Sequence, residues 1–287
     1  MTDTIVALST APGRAAVAVV RASGPAVEEM VAGIAGSPIV PRRAGLRALR
    51  RENGEVIDRA LVLTFAEGRS FTGEAMAEFQ THGGPAVVDA VVARLLEFPG
   101  VRIAEPGEFT LRAFKNGRID LAGAEALGDL INAGTEEQRA QSVRLMDGAL
   151  HRRCEAWRDD LLRAVALIEV TIDWADEEVP EDVVPEVSQL VGGLIASMAD
   201  ELGRSDTAER IRTGFEVALL GAPNAGKSSL FNYLADREAA ITSPNAGTTR
   251  DVLELQYDLR GIPVTFLDMA GLRASDDPVE QEGVRRA

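Results

Sequence analysis

The sequence predicts a multidomain chain: an α+β domain over residues 1–117, a helical domain over 118–211, and an α/β domain over 212–287. Three observations carry that division. Strand-like runs alternate with Gly/Pro turns through the first third, apolar residues switch to helical spacing at Leu121, and near residue 220 a short apolar run passes through a glycine-rich loop straight into a helix-compatible segment. At 287 residues the chain also exceeds the roughly 250 at which single hydrophobic cores stop growing.

In the first third, Thr4 to Leu8, Ala16 to Arg21, Ala60 to Phe65 and Ala75 to Thr81 read as strands, and Pro85 to Phe98 as an apolar helix. Leu121, Ala124, Leu127 and Leu130 then recur at helical spacing, and Thr135 with Gln138 forms a capping box opening a helix that continues well past Cys154. On it Trp157, Leu161, Val165, Ile168 and Ile172 step by three and four, an apolar stripe expected to pack against other helices. Six of the ten residues from Asp173 to Asp182 are acidic; such a run reads as a solvated loop and not as a metal cage. A further helix is expected from Val184 to Leu202, and no internal repeat or low-complexity tract is present.

Charge narrows the function classes. Forty-five acidic against 30 basic side chains leave a net charge of −15, which repels phosphate backbones, so any RNA substrate is expected to be gripped by a basic partner. The single cysteine, Cys154, has no partner for an internal disulfide, and the opening Met-Thr-Asp-Thr-Ile lacks the basic segment and apolar core of a signal peptide. No apolar run reaches the eighteen or so residues of a membrane helix, so the expected compartment is the cytoplasm.

Phe215 to Leu220 leads at once into Gly221-Ala-Pro-Asn-Ala-Gly226-Lys227-Ser228 and then Ser229 to Leu234, the order strand, phosphate loop, helix. Glycines let backbone N–H groups curl around phosphate oxygens, Lys227 neutralises charge on the β/γ-phosphates, and the Ser228 hydroxyl suits Mg²⁺. Downstream, Gly247-Thr248-Thr249-Arg250-Asp251 supplies a threonine hydroxyl for the same metal. Val252 to Leu259 and Val264 to Asp268 read as strands joined by the turn Arg260-Gly-Ile-Pro263, the second ending in Asp268-Met269-Ala270-Gly271. An aspartate there can hold Mg²⁺ through water, and the Gly271 amide can sense a γ-phosphate.

This ordered set resembles the translation-factor-related GTPases, and within them the MnmE family of tRNA-modifying GTPases. Asp3-Thr-Ile-Val-Ala7, Pro12-Gly-Arg14, Val19-Val-Arg21, Ser70-Phe-Thr-Gly-Glu74, Thr81-His-Gly-Gly-Pro85, Ala104-Glu-Pro-Gly-Glu-Phe-Thr110 and Arg118-Ile-Asp-Leu-Ala-Gly-Ala-Glu125 extend the resemblance over essentially the whole chain. It implies a Ras-like α/β P-loop domain with GTP contacts at Asn224, Ala225, Gly226, Lys227, Ser228, Ser229, Ser243, Pro244, Asn245, Ala246, Gly247, Thr248, Thr249, Asp268, Met269, Ala270 and Gly271. It also implies metal contacts at Ser228, Thr249, Asn224, Ser243, Asn245 and Thr248, with Mg²⁺ on Ser228 and K⁺ beside Asn224. Leu272 stands where Ras-like enzymes place a water-positioning glutamine, and the family's substitute is K⁺ with a switch-II glutamate, here Glu280. Glu280 and Lys227 are therefore the expected catalytic residues.

For the N-terminal domain the resemblance implies a site for a tetrahydrofolate derivative, bound in its 5-formyl form, with contacts at Arg21, Glu78 and Arg118; position 118 is lysine in some members. A carboxylate can accept paired hydrogen bonds from a pterin N–H edge, and arginines suit the ligand's carboxylates or ring oxygens. His82 reads as a turn-stabilising residue. Homodimerisation of the GTPase domains across the nucleotide, and a flavoprotein partner, MnmG, that joins in forming the 5-carboxymethylaminomethyl group on tRNA uridine 34, are further implications. Family members are expected to continue past residue 287 with a guanine-reading Asn-Lys-x-Asp motif, which occurs nowhere in this sequence, and with returning helices and a cysteine-bearing tail. The competing readings are an Era-like regulatory GTPase of ribosome assembly, which needs no folate site, and a folate-dependent one-carbon transferase with a degenerate nucleotide module.

Overall fold

In a computed structural model the protein is described over residues 3–173, 183–219, 226–235, 240–241 and 253–268. It divides between Ala124 and Glu125 into two compact units.

The first unit is a six-stranded sheet in the order β3-β4-β5-β2-β1-β6, built from β1 (Thr4–Leu8), β2 (Ala15–Ser23), β3 (Gly45–Arg50), β4 (Val56–Phe65), β5 (Met76–Gly83) and β6 (Val101–Ile103). All neighbours are antiparallel except β1 and β6, which run parallel. Along β2 the buried Ala18, Val20 and Ala22 alternate with Val17, Val19 and Arg21, and along β5 the buried Ala77, Phe79 and Thr81 alternate with Glu78 and Gln80. Successive side chains on a strand point to opposite faces, so one face is core and the other carries Arg21 and Glu78.

Helices α1 (Val27–Ala35) and α2 (Pro85–Leu96) cover the core face. Met30, Val31 and Ile34 of α1 and Val88, Val91 and Leu95 of α2 meet Val20, Leu49, Val62 and Phe79 of the sheet in one apolar cluster. The four expected strands and the helix from Pro85 are present. The structure adds β3, β6, α1 and α3 (Glu108–Lys115) to that expectation. Both added strands are sheet edges, where alternation is weak, and α3 turns charged residues, Glu108 and Arg112, into the interior.

Beyond α4 (Leu121–Asn132) come α5 (Glu136–Met146), α6 (Ala149–Asp173) and α7 (Val183–Thr213). The capping box forms as expected: Thr135 Oγ1 accepts from the Gln138 N–H, and Gln138 Oε1 accepts from the Thr135 N–H. The single long helix expected past Cys154 is instead two, because Gly148 takes a left-handed φ of 76° at the break between α5 and α6. The apolar stripe on α6 is only partly packed. Trp157 donates its indole N–H to Ser197 of α7, whereas Leu161, Val165, Ile168 and Ile172 are exposed, Ile172 by 68%. No described element covers that stripe. The acidic run lies outside the described residues apart from Asp173, the last residue of α6.

The last elements form a four-stranded sheet in the order β7-β10-β9-β8, from β7 (Phe215–Leu219), β8 (Ala240–Ile241), β9 (Leu253–Leu259) and β10 (Ile262–Asp268), with α8 (Lys227–Ala235) following β7. The β9–β10 turn is tighter than expected: Arg260 and Gly261 alone reverse the chain with φ of 55° and 92°, and Ile262 already pairs with Leu259. Two consecutive positive φ values match the right-handed twist of the flanking strands, which draws Ile262 and Pro263 into β10. Among the described residues no helix is long and apolar enough to cross a membrane.

Candidate functional site

The second unit brings the phosphate-loop elements together at one sheet edge. β7 and β10 are parallel neighbours, and Leu219, the last residue of β7, pairs with Asp268, the last residue of β10. Asp268 also pairs with Leu253 on the antiparallel β9. The chain leaving Leu219 for the glycine-rich loop and the chain leaving Asp268 therefore depart from the same carboxyl edge, where open α/β sheets bind their ligands. On the far side of that loop Gly226 adopts φ 88°, and its carbonyl accepts from the Leu230 N–H as the first α8 bond. Lys227 and Ser228 thus open α8, and Ser229 beside them is exposed. A helix start presents free N–H groups and about half a positive charge, which suits a phosphate. Asn224, Ala225, Ser243, Pro244, Asn245, Ala246, Gly247, Thr248, Thr249, Met269, Ala270, Gly271 and Glu280 lie outside the described residues.

In the first unit Arg21 and Glu78 are direct cross-strand partners on β2 and β5. Arg21 Nε donates to one carboxylate oxygen of Glu78, Oε1, at 3.0 Å, and its Nη2 forms an ion pair with the same oxygen at 2.8 Å. No described group donates to the second oxygen, Oε2, so it can accept a further hydrogen bond. The Arg21 guanidinium carbon stands 5.8 Å from the centroid of the Phe109 ring on α3, so that helix sets an aromatic ring beside the arginine. Arg118 follows the end of the same helix. Its N–H returns to Ala113 O at 2.8 Å around the left-handed Gly117, and its side chain is exposed. A Cβ on Gly73 would sit 3.2 Å from Arg118 Cγ and 3.2 Å from Asn116 Cβ, so the arginine stem crosses the loop where the side chain is missing. These residues fit a folate-type ligand: an open carboxylate oxygen, an arginine at its side, an aromatic ring and an exposed arginine.

Sequence reasoning assigned no role to the charges beneath this site. Arg112 is fully buried; it donates to Glu74 Oε2, Asp3 Oδ1 and Glu108 Oε1, each at 3.0 Å, and to the Asp3 carbonyl. Arg102 clamps the same group from the outside, reaching Asp3 at 2.7 Å and Glu108 at 2.5 Å. These bonds to Arg102 hold the Glu108 carboxyl at about 2, against the opposing pull of burial. Burial works against the Arg112 charge, yet the hydrogen bonds it donates to Glu74 and Glu108 carry its pKa above the ordinary arginine value. The available signal was positional: Asp3, Glu74 and Glu108 each belong to a segment that carries the family resemblance.

His82, expected to stabilise a turn, instead lies within β5, and its bonds run across to Asp58 on β4, so it ties two neighbouring strands together. Its backbone N–H reaches Asp58 Oδ2 at 2.8 Å, and its Nδ1 lies 2.7 Å from Asp58 Oδ1. Burial raises the Asp58 carboxyl pKa, but the His82 bonds outweigh it and hold the group below its ordinary value.

Known proteins place both units. Residues 4–118 match the family described as the GTP-binding protein TrmE N-terminus, and residues 121–282 match the MnmE helical domain. The curated relative named tRNA modification GTPase MnmE in Dinoroseobacter shibae is 56% identical over 285 residues, which is 99% of this chain and 66% of the relative. Its namesake in Cereibacter sphaeroides is 58% identical over 287 residues, 99% of this chain and 66% of the relative, and that of Caulobacter vibrioides is 51% identical over 291, 100% and 64%. The chain spans about two thirds of the length of these relatives.

Proposed function

Because this chain belongs to the MnmE family, we propose that it serves a GTP-hydrolysing tRNA-modification enzyme that acts with a flavoprotein, MnmG, to build the 5-carboxymethylaminomethyl group on uridine 34 from a folate one-carbon unit. The observation that carries the GTPase part is the pairing of Leu219 with Asp268 at the edge where α8 begins. The match to the helical family spans 121–282 and so runs through the β7–β10 segment, which supports reading residues 212–287 as a GTPase domain inserted in the helical domain of 118–211. Residues 1–117 form the folate-binding domain in this reading.

In the GTPase site Lys227 neutralises phosphate charge. Ser228 and Thr249 would hold Mg²⁺, and Asp268 would reach it through water. Asn224, with Ser243, Asn245 and Thr248, would hold K⁺, which would supply the positive charge that an arginine finger supplies in other GTPases. Glu280 orients the attacking water that Leu272 cannot. Dimerisation of two GTPase domains across the nucleotide completes each site. In the first unit Glu78 Oε2 takes a pterin N–H, and Arg21 and Arg118 take the ligand's anionic and carbonyl oxygens. The net charge of −15 favours a division of labour in which the partner grips the tRNA, in the cytoplasm.

The test is GTP hydrolysis by this chain extended with the C-terminal third of the Cereibacter sphaeroides relative, measured in K⁺ and in Na⁺ at equal ionic strength. Hydrolysis faster in K⁺, with Glu280→Ala slow in both, is the expected result. Equal rates in the two salts remove the potassium mechanism.

A further inference from the structure

We propose that Arg112 is a positioning residue for the folate site: buried beneath it, its fork locks the Ser70–Glu74 loop to α3 and thereby sets Arg118 relative to the Arg21–Glu78 pair. The inference rests on the folate reading of those three residues. Its geometry is a chain of short bonds. Arg112 Nη1 donates to Glu74, and the same Glu74 oxygen accepts from Ser23 Oγ at 2.8 Å. Ser23 lies two residues beyond Arg21 on β2 and also meets Thr72 Oγ1 at 2.7 Å. Ser70 Oγ closes the loop on the Glu74 carbonyl at 2.6 Å, and Asn116 at the end of α3 donates to the Thr72 carbonyl at 2.7 Å. Between these anchors lies Gly73, at φ 81°, over which the Arg118 stem passes.

The opposite prong of the fork, Nη2, donates to Asp3 on the approach to β1 and to Glu108 one turn back along α3. One planar guanidinium therefore ties β2, the loop and α3 at fixed angles. A lysine ammonium is a point charge on a flexible stem and cannot reach Glu74 and Glu108 with separate parallel donors. The arrangement is built at a cost, since Arg112 Nε is buried with no hydrogen-bond partner. Burying a charge with one donor unsatisfied is a poor way to gain stability, which fits a role for Arg112 in fixing geometry.

The test is calorimetric titration of the whole chain with 5-formyltetrahydrofolate, using wild type, Arg112→Lys, Arg118→Ala and the double variant, each with a thermal melt. Arg112→Lys is expected to weaken binding about tenfold or more, as for loss of a charge-assisted bond. In the double variant it is expected to add less than about twofold to the loss from Arg118→Ala, because both act through one contact. Losses that multiply, or unchanged affinity in a folded Arg112→Lys, overturn the inference while leaving the folate site standing. No saturable binding by the folded wild type fails at the earlier step and removes the folate reading itself. If Arg112→Lys does not fold, Asn116→Ala reaches the same loop from the exposed end of α3. It must show the same coupling to Arg118→Ala, and additive losses there overturn the inference equally.

Discussion

Asp268 lies beside Leu219 in parallel neighbouring strands, so the residue we propose for a water-bridged Mg²⁺ and the strand that leads into the glycine-rich loop end at one edge of the sheet. The two residues belong to motifs separated in sequence by α8, β8 and β9, and the parallel pairing alone unites them. A metal-specific effect follows. Asp268→Asn is expected to weaken binding of a fluorescent GTP analogue about tenfold in Mg²⁺ and to leave it unchanged in EDTA, since the amide is isosteric but lacks the charge. Equal losses with and without the metal make Asp268 a structural strand-end residue.

The carboxylate of Glu78 carries a second prediction. Arg21 uses only Oε1, so Glu78→Gln can keep its oxygen on Arg21 while replacing the open acceptor Oε2 with a donor NH₂. A pterin N–H then meets a donor, and calorimetry is expected to show 5-formyltetrahydrofolate binding weakened by about tenfold or more, with the melting temperature nearly unchanged. Unaltered affinity places the ligand elsewhere on the protein.

How much of this was legible beforehand depends on what each element buries. β2 and β5 announced themselves because Ala18, Val20, Ala22, Ala77 and Phe79 bury an alternating apolar face. The helix α3 did not, because its buried face is Glu108 and Arg112, and apolar periodicity passes over a face whose burial is compensated by ion pairs from Asp3, Glu74 and Arg102. Arg21 and Glu78 were named as ligand contacts from the resemblance, but that they face each other across β2 and β5 is a matter of register, which a single strand does not encode. The break at Gly148 followed the opposite course: a glycine stood in plain sight inside a helical pattern, and its left-handed φ decided the matter.

The acidic half of the Arg112 cluster makes stability depend on pH. Glu108 is held at about 2 in the folded chain against an ordinary 4.5, and Asp3 is lowered too, Arg102 and Arg112 outweighing burial. A depressed carboxyl stabilises the fold fully above its ordinary pKa and loses that contribution as pH falls through the folded value. Stability of the first unit is therefore expected to be flat from neutrality to about pH 5 and to fall below that. The Glu108 share is on the order of 2 kcal/mol after allowance for its half-exposed partner Arg102. Denaturant melts of wild type at pH 7 and pH 3, against Glu108→Gln, check this: the variant starts lower and declines less. Parallel declines in the two proteins sink it.

Gln138 joins the part of the helical unit that was legible to a part that was not. Its Oε1 completes the capping box with Thr135, while its Nε2 donates to Arg212 O, and Gln141 likewise donates to Ala208 O, so α5 closes the carboxyl end of α7 just before β7. The two functions of the side chain can be separated. Thr135→Ala removes the hydroxyl cap alone and is expected to cost about 1 kcal/mol. Gln138→Glu keeps an oxygen for the box but sets an anion against a backbone carbonyl at the negative end of the α7 dipole, and is expected to cost about as much or more. Because carboxylate protonation restores a donor, the Gln138→Glu deficit should shrink when denaturant melts are repeated near pH 4, where the Thr135→Ala deficit should not. A Gln138→Glu deficit that is the same at both pH values leaves the capping box as the side chain's only role.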